Sequence, residues 1–170
     1  MSGWISAINP FSNPTTEPQA RRAARASALA IGLGVLMSAW GILYMTTFGR
    51  EEIQAAMDEA MSASPEAAGM AGMIGSAMLG LTVAILVIQA ILGLVQWFKP
   101  NVVIPIIFVI LVIYGLGSTG LSLMMRDQME LSAGAPMWQT WLTMGVMVVQ
   151  LLLHIAGIRG ASALGKLRSN

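Results

Sequence analysis

The chain has 170 residues, 56% of them hydrophobic and only 10% charged, with a net charge of +1 and a mean hydropathy of +0.72. That balance excludes an ordinary water-soluble domain, and so small a charge gives no footing for nucleic acid. Cysteine is absent, which removes disulfides, thiolate metal sites and thiol redox chemistry.

The N-terminal segment, residues 1–19, is polar and carries Asn9-Pro10, Asn13-Pro14 and Glu17-Pro18. Each pair disfavours helix in its first residue, so the segment reads as extended or turn structure. It has none of the features of a cleavable leader, and the apolar block that follows is longer than a signal core. Thr16 with Gln19 three residues on, and Pro18 between them, has the pattern of a capping box. A helix is expected to begin there and run into the first apolar block.

Four apolar spans follow, over about 28–48, 72–98, 102–125 and 137–158, and none contains Asp, Glu, Lys or Arg. Each approaches or exceeds the ~20 residues that cross a hydrocarbon core of ~30 Å. The expected fold class is therefore all-α: a polytopic membrane protein with four transmembrane helices in two antiparallel hairpins. Residues 1–19 form a cytoplasmic segment, 20–160 the transmembrane domain and 161–170 a cytoplasmic tail. The short Lys99-Pro100-Asn101 link also requires spans two and three to run in opposite directions. Between spans one and two, residues 50–63 place Ile53, Met57 and Met61 at a spacing of four, with Glu51, Glu52, Asp58 and Glu59 elsewhere. This pattern predicts a short amphipathic helix in the first outer loop.

Orientation follows from the basic residues. Arg21, Arg22, Arg25, Lys99, Arg159, Lys166 and Arg168 fall on one side of this topology, and only Arg50 and Arg126 on the other. The acids Glu51, Glu52, Asp58, Glu59, Glu66, Asp127 and Glu130 lie opposite the basic side, with Glu17 alone beside it. Both termini are expected in the cytoplasm, and a bacterial inner membrane fits the compact loops and the charge asymmetry. Trp97 marks one interface, and Tyr44, Phe48, Trp138 and Trp141 the other.

Lipid supplies no hydrophobic drive between helices, so small residues that let backbones approach become the packing signal. Span one carries Ala26, Ala30, Gly34 and Ser38 at a spacing of four, and span two carries Gly72, Ser76, Gly80 and Ala84. The two stripes lie at different depths and overlap only near Ser38 and Gly80 to Ala84. They are therefore expected to accept more than each other: spans three and four, a second copy, or another subunit. In span three, Pro105 is a candidate kink, and Gly115, Gly117 and Gly120 form a closely packed or flexible outer segment.

The intramembrane polar groups are Gln89, Gln150 and the single histidine, His154. Gln89 precedes Lys99 by ten residues and Gln150 precedes Arg159 by nine, so at ~1.5 Å per residue both lie about 14 Å from the cytoplasmic edge. Equal depth on parallel helices predicts a hydrogen bond between them, of about 0.6 to 2 kcal/mol. The competing reading is a polar lining for a solute path, with Ser118 and Thr119. His154, one turn beyond Gln150, reads as a hydrogen-bonded packing residue, since one imidazole alone does not make a haem or metal site. Methionines 57, 61, 70, 73, 124, 125, 129 and 137 surround the outer loops; soft thioethers make Cu(I) a further reading, against methionine's ordinary use as an apolar filler.

No phosphate loop, HExxH pair or nucleophile–base pair is present in the sequence. The chain also lacks the membrane carboxylate of small multidrug exporters, the cysteines of disulfide-generating four-helix proteins and the paired histidines of four-helix haem proteins. The expectation is a protein that is not an enzyme and needs no cofactor. It would work as an accessory subunit of a membrane complex or as a homo-oligomeric scaffold, its partners being the bilayer, other membrane subunits or further copies, and not nucleic acid. The alternative is a small channel or carrier for a neutral solute.

Overall fold

The computed structural model describes residues 8–51, 55, 58, 65–125 and 137–169, with backbone alone at 45, 65–76 and 78. Four long helices make up the described chain: α1 (Glu17–Thr46), α2 (Pro65–Phe98), α3 (Val103–Met125) and α4 (Met137–Ser169). Each is long and apolar enough to cross a membrane, and no strand occurs among the described residues. The amphipathic helix expected over 50–63 falls largely outside the described residues.

Helix α1 begins where the capping pattern places it, but the cap itself differs. Thr16 takes an extended backbone and makes no side-chain cap, while Pro18 stands in the first turn. Gln19 reaches one residue further back than a capping box requires, and its Oε1 accepts from both the backbone N and the Oγ1 of Thr15. Just upstream, Asn9 closes a turn by accepting from Phe11 N and Ser12 N, which is what Asn before Pro favours.

The dominant interface pairs α1 with α4; α1 also packs on α2, and α3 on α4. Partners along α1 and α4 run in opposite senses: Glu17 meets Arg168, Ser27 meets His154 and Ala30 meets Gln150. Along α1 and α2, Arg25 meets Trp97 and Ile31 meets Gly93, again antiparallel. Helices α2 and α4 therefore run parallel to each other on either side of α1. Among the described residues α2 and α3 share no extensive interface, although the link at 99–102 joins them. The reason is that α1 lies between their ends: Ile31 forms a small core with Ile104 and Phe108 of α3, and Leu92 of α2 packs against it.

Why α1 becomes the hub is visible in its composition. Ala20, Ala23, Ala24, Ala26, Ala28 and Ala30 are all buried, as is Ser27. Side chains this short lose almost no rotamer entropy and let a neighbouring backbone come close on more than one face. The matching face of α4 is Ala156, Gly157, Gly160, Ala161 and Leu164, all buried. A Cβ at Gly157 would stand 2.5 Å from Ser27 Cβ, and one at Gly160 would stand 2.5 Å from the carbonyl carbon of Ala23. Helix α4 continues to Ser169, and this small-residue face runs on against the start of α1. Outside the hydrocarbon, Glu17 accepts from Arg21 and Arg168, and Arg159 donates to Asn13 Oδ1.

The turn between α2 and α3 is built on one buried amide. Gln96 Nε2 donates to Ala24 O and to Asn101 O, and its Oε1 accepts from Asn101 N. Asn101 Oδ1 in turn accepts from Ile104 N and so caps α3. Pro105 is buried in the first turn of α3, where a missing N–H leaves no bond unmade; the helix continues through it to Met125.

A cleft lined by glutamines from two helices

Above the Ile31, Ile104 and Phe108 core, the four helices enclose a cleft of about 370 Å³. Helix α1 supplies Gly34, Ser38 and Gly41 to its wall, and α2 supplies Gln89. Leu111 and Val112 come from α3, and Gln139, Thr143, Met147 and Gln150 from α4. Among the described residues no Asp, Glu, Lys, Arg or His lines it. The wall is apolar apart from three amides, two hydroxyls and the backbone at the glycines.

Gln89 and Gln150 lie at one level, facing the same residue of α1. A Cβ on Gly34 would be 2.8 Å from Gln150 Nε2 and 3.8 Å from Gln89 Oε1. Gln150 is buried, and its Nε2 donates to Ala30 O at 3.0 Å. The bond expected between the two glutamines is replaced by this one, because α1 stands between α2 and α4 and Gly34 opens its backbone to both. Gln89, half-buried, has no hydrogen-bond partner among the described residues. The Oε1 of Gln139 is buried and equally without one.

His154 sits one turn below Gln150 and is fully buried. Its Nδ1 is 2.8 Å from Ser27 Oγ, and its ring stacks on Phe108 with centroids 5.4 Å apart. Nε2 is buried with no partner among the described residues. No cluster of three metal-binding acids, histidines or cysteines occurs among the described residues.

The other residues singled out in the sequence fall as follows. Ala26 and Ala30 are buried, and Ser38 is half-buried on the cleft wall. Gly80 and Ala84 are exposed on α2, and a Cβ at Gly80 would meet nothing within 4 Å. Gly72 and Ser76 belong to α2, but their surroundings lie outside the described residues. Ser118 is exposed and donates to Gly115 O within its own helix; neither it nor Thr119 lines the cleft. Of the outer methionines, Met124 and Met137 are exposed, and Met57, Met61 and Met129 lie outside the described residues.

Sequence reading missed Gly157, Gly160, Gln96 and Gln139. The first two form a small-residue pair at spacing three beside Ala156 and Ala161, a signal that was present but fell at the edge of the expected span. Gln96 stands next to Trp97 and Lys99 and reads as interfacial; only the fold turns it inward. Gln139 lies two residues inside the start of α4, where a polar residue is unremarkable by position. No known family model, characterised protein or solved structure matches the chain.

Proposed function

We propose that the chain is a non-catalytic integral protein of a bacterial inner membrane, serving as an accessory subunit or homo-oligomeric scaffold. Both termini lie in the cytoplasm, and α1–α2 and α3–α4 form two antiparallel hairpins. The basic side at Arg21, Arg22, Arg25, Lys99 and Arg159 supports that orientation, as does Arg25, which donates to Trp97 O and lies 5.0 Å over the Trp97 ring at the interface.

One observation carries the association reading. Only 6% of the apolar span of α2 is buried, against 22 to 28% for the other three helices. Its outward face presents Gly80 and Ala84, small residues that suit close helix contact better than lipid contact. Other membrane subunits or further copies of the chain are the partners of that face. Gly80→Leu should reduce the assembly's mass in mild detergent while insertion and helix content stay the same, since no atom of the described residues lies within 4 Å of a Cβ there. An unchanged mass would overturn the reading. Gly34→Leu serves as a contrast, because it must disturb the chain's own packing on Gln150.

The second reading, a carrier for a neutral solute, is favoured by the meeting of Gln89 and Gln150 in one cleft. It requires flux in liposomes that Gln89→Leu and Gln150→Leu abolish, through a route that avoids Ser118 and Thr119. Cu(I) handling at the outer methionines is tested by anaerobic copper loading, and absence of bound metal would remove it.

A further inference from the structure

The cleft holds more hydrogen-bonding capacity than its own packing uses. Gln150 spends its N–H on Ala30 O, and the structure gives its Oε1 no donor among the described residues. At the same level Gln89 has a carbonyl and an NH₂ group with no partner among the described residues, and about three turns along α4 Gln139 Oε1 is buried and equally without one. Buried polar groups in native proteins nearly always have partners, and in hydrocarbon an unmet one is costly. At the level of Gln89 and Gln150, two amide carbonyls and the Gln89 NH₂ group therefore await a group that donates or accepts.

We propose that the cleft binds a small neutral amphiphile, an alkyl chain ending in a carboxamide or hydroxyl whose polar head reaches Gln89 and Gln150. Three features set this class. An ionised head would have no counter-charge among the described residues of the wall, and burying it unpaired is prohibitive. The alkyl part lies against Leu111, Val112 and Met147. The volume of about 370 Å³, at ~30 Å³ per water-sized group, takes roughly a dozen heavy atoms, far less than a partner helix ~10 Å across. Pockets of this size with apolar walls and a few placed polar groups are typical of small-molecule sites. Helices α2 and α3 flank the cleft without extensive mutual contact, so its open side faces the hydrocarbon and an amphiphile enters from the bilayer. The opposite end is closed by Ile31, Ile104 and Phe108.

Tritiated decanamide, with about a dozen heavy atoms, is the probe, and the full chain in phospholipid nanodiscs is the receptor. Saturable binding is expected, displaced by unlabelled decanamide and 1-decanol but not by decane or, at pH 8, decanoate. Gly41→Phe puts a ring on the cleft wall, at a position where a Cβ meets nothing within 4 Å, and should abolish binding. Gln89→Leu should weaken it about fivefold, from one lost hydrogen bond. Non-saturable uptake, displacement by decane as effective as by decanamide, or binding untouched by Gly41→Phe would each overturn the proposal. The competition series uses the unmodified chain, so a misfolded variant cannot obscure the result. Gly80 lies outside the cleft, so loss of this site leaves the association reading standing.

Discussion

Adding one methyl group at Gly160 isolates the α1–α4 interface from every other contact in the chain. In Gly160→Ala the new carbon would fall 2.5 Å from the carbonyl carbon of Ala23 and 2.6 Å from its Cβ. These neighbours are backbone and a side chain with no rotamers, so no local rearrangement relieves the contact. The helices must part by about 1 Å to restore ordinary van der Waals distance. Six residues away, the 2.8 Å bond between Ser27 and His154 would stretch past hydrogen-bonding range. Overpacking of this kind costs about 1 to 3 kcal/mol, and the lost interhelical bond adds about 0.6 to 1.7. Alanine's better helix propensity returns about 0.5 to 1. The balance is a destabilisation of roughly 2 kcal/mol, about thirtyfold in the unfolding equilibrium. Reversible unfolding in mixed micelles, followed by circular dichroism, measures it. Gly165, on the same helix with nothing within 4 Å of a Cβ, is the matched control: Gly165→Ala should be neutral or stabilise by up to ~1 kcal/mol. If Gly160→Ala behaves as Gly165→Ala does, the close α1–α4 approach is wrong.

Ser27→Ala leaves the His154 ring buried with neither nitrogen paired, and should cost about 1 to 3 kcal/mol in the same unfolding titration; a neutral result would show that the bond contributes nothing. Gly34→Ala meets only the end of a flexible side chain, Gln150 Nε2 at 2.8 Å, and should displace its bond to Ala30 at a cost of about 1 kcal/mol, visible as faster amide exchange around residues 34 and 150. Hydrogen bonds from Arg21 and then Arg168 hold the Glu17 carboxyl below its ordinary value of 4.5. A lowered carboxyl pKa stabilises the docked α4 end fully above 4.5 and loses that contribution as pH falls through the lowered value. Protection from hydrogen exchange at residues 164–169, taken relative to the intrinsic rate at each pH, should accordingly fall on acidification below pH 4.5, and Glu17→Gln should remove that change in protection.

The helices, their number and their approximate limits were legible because membrane spans are written as uninterrupted apolar blocks, and charge has nowhere to hide in them. Packing was legible only in part. Ala26 and Ala30 are buried and Gly34 faces Gln150, yet among the described residues the closest approach is at Gly157 and Gly160, at the edge of the expected fourth span. Small-residue spacing marks a face capable of close contact but not which neighbour takes it, and at Gly80 and Ala84 none of the described residues does. The cleft was half visible: equal depth brought Gln89 and Gln150 together, while Gln139, on the next turns of α4 towards the far end, had no counterpart at its level to betray it. The bond between the two glutamines was expected because pairing by depth takes no account of a third helix, and Gly34 gave each amide a backbone to face instead.

Single cysteines placed in the naturally cysteine-free chain give the most direct test of the membrane arrangement on which every functional reading rests. Cysteines at 2 and 169 should react with an impermeant maleimide only after the cells are opened, and cysteines at 62 and 132 should react in intact cells. Labelling of residue 169 from outside, or of 62 and 169 from the same side, would contradict a four-span protein with both ends in the cytoplasm.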